Sequence, residues 1–284
     1  MAAEDQPGGF SPGMAARVRC ADGTRWFVKA ATSEVNPDTP KLHRQESKVL
    51  AGLDRLVVVD HLPVPRLRGT AESGPWFALV ADEVVGHQPE LPWRPDDLDR
   101  VLTVLDQLAA DLTPAPVAVP AIGDYLGSDF NGWRALAQTP DDDRIDPWAR
   151  KRLPELAALE ATWTFHTAGE TLLHTDLRAD NMLLTADGVV VVDWPHACLG
   201  AAFVDLVFFA PSVAMQGGPE PATLLAGSSI GRSVSTEALA AVVCALAGYF
   251  THRSLQPAPP GLPNVRAFQA AQGDVARRWL ATLL

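Results

Sequence analysis

The sequence predicts an α+β fold of two lobes, with a small antiparallel β-rich N-terminal lobe and a larger, mainly helical C-terminal lobe. Two observations carry this prediction. Apolar and polar residues alternate in strand-like segments near the N-terminus, and apolar residues recur at helical intervals after about residue 95. A third places the boundary, because Gly86 opens a stretch with Pro89, Pro92 and Pro95 that cannot continue a strand. We therefore expect an N-terminal lobe over residues 1–85 and a C-terminal lobe over residues 86–284.

The N-terminal lobe begins with a predicted hairpin. Apolar side chains alternate with arginines along residues 14–20, and Asp22–Gly23 supplies a tight turn into a second strand over residues 25–30. Lys29 lies near the end of that strand. The glycine-dense segment Gly8–Gly13 precedes the hairpin, so its backbone N–H groups could approach phosphates; a plain surface turn is the alternative. Only seven residues precede Gly8, so a strand before this segment should be very short or absent.

The next predicted elements are a helix over residues 41–53 and an apolar strand over residues 76–83. Glu46 lies in the middle of the helix. It belongs either to a solvated face beside Lys48 or to an ion pair with Lys29 that would fix the lysine ammonium at nucleotide phosphates.

The C-terminal lobe is predicted from four further segments. An amphipathic helix covers residues 96–112, and an acidic, irregular insertion covers residues 121–147. A helix follows over residues 148–166, in which Pro154 marks either the true start or a kink. Two more helices are expected over residues 235–251, with Ser235 as N-cap, and over residues 264–283.

Composition restricts the class of protein. A hydrophobic content of 47% and a charged content of 20% are typical of a globular chain. The net charge of −11, without a local basic stripe, argues against nucleic acid as a partner. The longest apolar runs are interrupted or short, so we expect buried helices and no membrane partner. Cys20, Cys198 and Cys244 lack metal-ligand spacing, and with no signal segment at residues 1–7 we expect buried thiols and a cytoplasmic protein, monomeric or homodimeric.

Residues 172–194 carry the chemistry. Asp176 follows the apolar pair Leu172–Leu173 and could accept the proton of a substrate hydroxyl. Asn181 and Asp193 offer one neutral and one charged oxygen to Mg²⁺. Two short strands, joined by a turn at Asp187–Gly188, should hold these two ligands face to face. This order and spacing is typical of phosphoryl transfer, which depends on positioning and on spreading charge.

The segments HTDLRADN (residues 174–181) and VVVVDW (residues 189–194) resemble the catalytic loop and metal-binding Asp of the aminoglycoside phosphotransferase family. This family is the antibiotic- and small-molecule-kinase branch of the protein-kinase-like fold. The resemblance implies Asp176 as the base and Asn181 and Asp193 as metal ligands. It further implies Lys29 and Glu46 at the phosphates, and it extends to a phosphate loop with Gly9, Phe10 and Ser11 and an adenine hinge with Asp82 and Val84.

Four neighbouring residues permit a functional or a structural interpretation. His174 is similar to the histidine that braces the loop in this family, and a buried hydrogen-bonding His would look the same. Asp205 resembles the family's buried Asp that ties the loop backbone to the next helix, which is a structural role. Arg178 either contacts the γ-phosphate or is solvated, and Asp180 is expected at the surface.

The resemblance implies a small-molecule kinase that uses ATP or GTP with Mg²⁺ to phosphorylate a hydroxyl group. An aminoglycoside or related polycationic antibiotic is the first candidate acceptor, because the 121–146 insertion is acidic. A metabolic sugar, amino alcohol or other alcohol is the alternative, since Arg277 and Arg278 lie in the last helix, where aminoglycoside kinases tend to offer carboxylates. Acceptor recognition is expected from the insertion and the last two helices. The third reading is a nucleotide-binding protein without turnover.

Overall fold

The computed structural model describes residues 2–6, 13–56, 62–259 and 262–284, which form two compact units. The first unit comprises Met1–Pro89, Pro116–Ala118 and Arg178–Ala197. The second unit comprises Glu90–Ala115, Val119–Leu177 and Cys198–Leu284. An antiparallel, sheet-rich N-terminal part and a helical C-terminal part confirm the predicted fold class.

The first unit is built on a five-stranded antiparallel sheet in the order β1-β2-β3-β5-β4. Its strands are β1 (Ala2–Asp5), β2 (Met14–Arg19), β3 (Arg25–Thr32), β4 (Leu67–Ser73) and β5 (Trp76–Asp82). Helix α1 (Thr39–Leu53) packs against β3, β4 and β5 through an apolar stripe that includes Val49, Leu50 and Leu53. Because α1 lies over β3, the sheet and the helix can present side chains to each other, which is how the site below is assembled.

Strand β4 was not expected from the sequence. Most of its side chains are exposed, and its pairing with β5 is irregular between Leu67 and Gly69, so the alternation that marks a half-buried strand is absent. Strand β1 has only four residues, in line with the expected very short first strand. Cys20 is half-exposed at the end of β2, contrary to the expected buried thiol, while Cys198 and Cys244 are buried.

A two-stranded hairpin, β7 (Met182–Leu184) and β8 (Val189–Val191), belongs to the first unit. His87 and Leu184 exchange backbone hydrogen bonds of 3.1 and 2.8 Å. A Cβ on Gly86 would lie 2.6 Å from the Leu184 carbonyl oxygen, so this approach requires glycine. These bonds place residues 178–197 with the first unit, which differs from the predicted contiguous division at residues 85 and 86.

The second unit is helical, with a two-stranded sheet of β6 (Thr171–Leu173) and β9 (Cys198–Gly200). Its longer helices are α2 (Pro95–Asp111), α6 (Leu153–Glu160), α8 (Phe203–Met215), α11 (Thr236–Ser254) and α12 (Val265–Leu283). Its shorter helices are α3 (Ile122–Leu126), α4 (Gly132–Leu136), α5 (Pro147–Arg150), α7 (Trp163–His166), α9 (Pro221–Gly227) and α10 (Ser229–Arg232). Among the described residues, no helix combines the length and apolar character needed to cross a bilayer.

Two predictions for this unit need correction. The helix expected over residues 148–166 is three helices, α5, α6 and α7, and Pro154 occupies the first turn of α6, where its missing N–H has no partner to lose. The insertion expected to be irregular contains α3 and α4. The buried Glu160 carboxylate accepts hydrogen bonds from the first backbone N–H groups of α4 at Trp133 (2.9 Å) and Arg134 (3.1 Å). Such a long-range cap has no local sequence signal.

Candidate active site

The first unit assembles one cation and two carboxylates around Lys29 in the second half of β3. Lys29 Nζ lies 2.8 Å from both Glu46 carboxylate oxygens and 2.6 Å from Asp193 Oδ1. The side chain of Glu46 is 4% exposed, that of Lys29 is 15% exposed, and that of Asp193 is 38% exposed. The backbone N–H of Trp194 also donates to Glu46. Of the two interpretations of Glu46, the ion pair with Lys29 is therefore the one present in the structure. Asp193 is its third member.

The charge state of Lys29 follows from its surroundings. Burial by itself would lower the pKa of Lys29, but the charges of Glu46 and Asp193 outweigh it and raise the pKa above its ordinary value. The ammonium is thus retained at neutral pH. The partly exposed Asp193 keeps one edge of this trio accessible, whereas Glu46 is enclosed and holds the lysine in place.

His43, one turn before Glu46 on α1, was not singled out from the sequence. It is buried, and burial together with the charge of Lys29 lowers its pKa to about 4. Its Nδ1 has no hydrogen-bond partner among the described residues. A neutral imidazole therefore lies beside the charged trio; a lone His on a helix carries no sequence signal for such a position.

The two predicted metal ligands lie next to each other through the backbone. Asn181 closes a 3₁₀ turn over Ala179–Asn181, and its carbonyl oxygen accepts a hydrogen bond of 2.9 Å from Val192, the residue before Asp193. Asp193 has a φ of 69°, a left-handed conformation that Asp tolerates better than most residues. A carboxylate and an amide oxygen are the donors that Mg²⁺ accepts alongside phosphate and water oxygens, so this pair fits that ion. The described residues hold no cluster of three or more His, Cys, Asp or Glu side chains suited to a metal.

In the second unit, Asp205 of α8 holds the backbone that leads to Asp176. Asp205 Oδ2 accepts from the His174 N–H at 2.8 Å, and Oδ1 accepts from the Thr175 N–H at 2.7 Å. Thr175 has a φ of 64°, which is costly for a β-branched residue and needs such support. Burial raises the pKa of Asp205 to about 6, against the opposing effect of these two hydrogen bonds. The contacts match the structural role that the sequence favoured for Asp205.

His174 supports the same loop from the inside. It is buried, and its Nδ1 accepts a hydrogen bond of 3.2 Å from the Asp176 backbone N–H. Nδ1 must then be unprotonated, so His174 braces the loop as a neutral ring. The Asp176 backbone is thereby bonded to His174, and the two residues before it are bonded to Asp205, while the Asp176 side chain remains partly exposed.

Arg178 and Asp180, both in the first unit, form a pair with each other. Arg178 Nε and Nη2 each lie 2.9 Å from one Asp180 carboxylate oxygen, a bidentate arrangement. Asp180 is half-buried rather than a free surface residue, and this is a correction. A phosphate contact of Arg178 stays a prediction.

The two residues of the predicted adenine hinge, Asp82 and Val84, differ in their contacts. Asp82 forms a bidentate ion pair with Arg68 at 2.6 and 2.5 Å, so its carboxylate is already engaged. Val84 is partly exposed, and its backbone N–H and C=O bond to no other described residue, which suits an adenine edge. Gly9, Phe10 and Ser11, the predicted phosphate loop, lie outside the described residues.

The sequence is similar to that of a known enzyme family. A family model described as APH, Phosphotransferase enzyme family, matches residues 7–240. None of the curated protein sequences matches the chain significantly.

Solved structures share the fold. An aminoglycoside phosphotransferase from Alicyclobacillus acidocaldarius subsp. acidocaldarius DSM 446 is 15% identical with a TM-score of 0.59, over 98% of this chain and 91% of that one. Choline kinase LicA from Streptococcus pneumoniae is 13% identical with a TM-score of 0.63, over 99% and 94%. Amicoumacin kinase hAmiN in complex with AMP-PNP, Ca²⁺ and Ami is 9% identical with a TM-score of 0.59, over 97% and 88%.

Proposed function

We propose that this chain, which belongs to the APH phosphotransferase enzyme family, transfers the γ-phosphoryl group of ATP to a hydroxyl group of a small molecule in an Mg²⁺-dependent reaction. Membership in a family of phosphotransferase enzymes matches the enzyme class expected from the sequence. The nucleotide, the metal and the acceptor belong to the proposal. We also propose the cytoplasm as its location.

The observation that supports this function best is the trio of Lys29, Glu46 and Asp193. Phosphoryl transfer requires a fixed positive charge at the phosphates and oxygen ligands for the metal that neutralises them. Glu46 contacts Lys29 through both oxygens, so the ammonium position is restricted, and the more exposed Asp193 is available to a cation. A protein that only needed a stable core would gain little from this arrangement, because a buried ion pair is a poor source of stability.

In this proposal each residue has one role. Lys29 binds phosphate oxygens, Val84 binds the adenine edge, and Asn181 and Asp193 would hold Mg²⁺, which neutralises charge on the transferred group when bound. Asp176 accepts the hydroxyl proton and orients the oxygen for attack. His174 holds the backbone N–H of Asp176, and Asp205 holds the backbone of the two residues before it, so the loop is positioned before the acceptor arrives.

The fold alone does not specify the acceptor class. The solved relatives named above include kinases for an aminoglycoside, for choline and for amicoumacin, so the fold serves unrelated acceptors. An aminoglycoside is the first acceptor to test, and a metabolic alcohol is the alternative.

The test is a nucleotide-consumption screen. The purified protein is incubated with ATP and Mg²⁺ in the presence of aminoglycosides, sugars, amino alcohols and other hydroxylated compounds, and ADP release is followed. Mass spectrometry of each hit should show an added phosphoryl group, and leaving out Mg²⁺ should abolish the signal. Normal ATP binding without a phosphorylated product from any compound would refute the proposed transfer.

A further inference from the structure

A polar cluster in the second unit lies outside the residues assigned above. Arg253 of α11 forms an ion pair with Asp129, which lies between α3 and α4. The Arg253 guanidinium also lies over the ring of Tyr249, 5.8 Å from its centroid, and Tyr249 stacks on Phe130 with centroids 5.1 Å apart. We call Asp129, Tyr249 and Arg253 the α11 cluster. Phe130 fixes its aromatic member, so the arginine is supported on one face by a packed ring.

The α11 cluster is connected to the loop that carries Asp176. Phe130 also stacks on Phe208, 5.3 Å away, one turn after the Asp205 that holds the loop backbone. The electrostatics agree with this packing. Burial is the main cause of the raised pKa of Tyr249, and the charges of Asp129 and Asp176 raise it further. The α11 cluster therefore lies within electrostatic reach of the proposed base.

A second tyrosine, on another helix, is influenced by the same two carboxylates, Asp129 and Asp176. Tyr125 of α3 has its pKa raised to about 12, first by burial and then by Cys198, Asp129 and Asp176. Helix α3 is held beside β9 by a bridge between Ala121 and Leu199. Strand β9 pairs in turn with β6, the strand just before the loop. The charge of Asp176 therefore acts on tyrosines of two separate elements, α3 and α11.

The fixed charges in this neighbourhood balance one another. The charged groups that act on Tyr249 are two carboxylates, Asp129 and Asp176, and two guanidiniums, Arg253 and Arg266. Arg253 uses only Nη2 in its bond to Asp129, and its Nε and Nη1 have no hydrogen-bond partner among the described residues. The side chain is 37% exposed. An arginine with open donors, whose charge acts on the same tyrosine as that of the proposed base, is suited to a planar oxyanion.

We propose that Arg253, oriented by Asp129 and Tyr249, binds a carboxylate or other oxyanion on the acceptor and so selects acidic alcohols over polycations. This inference rests on the proposed phosphotransferase function and adds the acceptor class to it. An aminoglycoside brings several ammonium groups, which would meet two guanidiniums, whereas one of the two carboxylates, Asp129, is already paired with Arg253.

The test uses acceptors that differ only in charge. Gluconate, sorbitol and glucamine share a six-carbon polyol frame and carry a carboxylate, a hydroxyl or an ammonium at one end. They are assayed with Mg²⁺ and ATP for ADP release, together with a wider library of anionic, neutral and cationic alcohols that includes aminoglycosides. We expect the best acceptors in the library to be anionic and, if the polyols are turned over, gluconate to exceed glucamine.

Variants then locate the effect. With the best anionic acceptor, Arg253→Gln should raise KM by roughly tenfold to hundredfold while kcat stays near wild type, because the lost contact binds ground state and transition state alike. Arg253→Lys keeps the charge without the fork and should give a smaller rise in KM. The matched control Arg94→Gln removes an exposed guanidinium at the start of α2, where Arg94 pairs with Glu90, and should change nothing.

The results of these assays distinguish the proposed anion site from the proposed phosphotransferase function. Turnover of neutral or cationic acceptors in preference to anionic ones overturns the anion site but leaves the phosphotransferase function intact. The anion site is also overturned if Arg253→Gln keeps its thermal stability but changes KM equally for anionic, neutral and cationic acceptors. If no alcohol is phosphorylated by protein that still binds ATP, the proposed function fails and this inference fails with it.

Discussion

The ion pair between Lys29 and Glu46 allows a prediction about stability that can be worked from its geometry. Glu46→Leu removes two charge-assisted hydrogen bonds of 2.8 Å each and leaves Lys29, with 15% of its side chain exposed, bound only to Asp193. Hydrogen bonds to charged groups contribute about 1.5–3 kcal/mol each, and Asp193 together with the partial exposure of Lys29 offsets part of the loss. We therefore expect the free energy of unfolding to fall by about 2–4 kcal/mol.

The measurement is urea-induced unfolding followed by tryptophan fluorescence, with Glu72→Leu as matched control. Glu72 forms an exposed ion pair with Arg44, which should contribute less than about 1 kcal/mol. The double variant Lys29→Met and Glu46→Leu should recover much of the stability, because removing both members of a buried pair costs far less than leaving one unpaired. The reasoning is refuted if Glu46→Leu costs no more than Glu72→Leu, or if the double variant is as unstable as Glu46→Leu.

Two further predictions concern the supports of the site. The folded-state pKa of Asp205 is raised from 3.8 to about 6, so protonation of Asp205 stabilises the fold. This stabilisation, at most about 3 kcal/mol, is fully present below pH 3.8 and is lost as pH rises through 6. The unfolding free energies of wild type and Asp205→Asn are measured in urea from pH 4 to 7, and their difference should change with pH in this way. A pH-independent difference would contradict the assigned pKa. Gly86→Ala places a Cβ 2.6 Å from the Leu184 carbonyl oxygen and should lower stability by about 1–3 kcal/mol in thermal unfolding. The control Gly69→Ala has open space around its Cβ and should lower stability clearly less. Equal losses in the two variants would contradict the close approach of Gly86 to Leu184.

Local signals in the sequence were sufficient for the regular elements of the site. The hairpin turn at Asp22–Gly23, the helix that carries Glu46 and the strand pair that leads to Asp193 all follow from alternation, glycine placement and helical spacing, which depend only on near neighbours. The order of Asp176, Asn181 and Asp193 along the chain predicted the type of chemistry for the same reason.

Long-range partners could not be predicted in this way. The bond from Lys29 to Asp193 joins residues 164 positions apart, and no local pattern records it. The engagement of Asp82 by Arg68 depends on β4, whose exposed side chains conceal the strand. The assignment of residues 178–197 to the first unit depends on backbone bonds with Leu184, which periodicity does not show.

The α11 cluster illustrates the same limit for the acceptor. The acidic composition of the 121–146 insertion favoured a polycation, but two of its six aspartates are paired with arginines, Asp129 with Arg253 and Asp142 with Arg144. Composition counts charges without their partners, whereas recognition depends on the charges left after pairing.

The central claim is that Asp176 acts as the base in phosphoryl transfer, and one measurement tests it most directly. Acceptor-dependent kcat is compared for wild type, Asp176→Asn and the control Asp187→Asn, which changes an exposed carboxylate at the tip of the β7–β8 hairpin. ATP affinity of each protein is measured by titration. Asp176→Asn should lower kcat by roughly 10²- to 10⁴-fold with ATP binding retained, while Asp187→Asn stays at wild-type rate. A kcat for Asp176→Asn equal to that of Asp187→Asn would contradict the assignment.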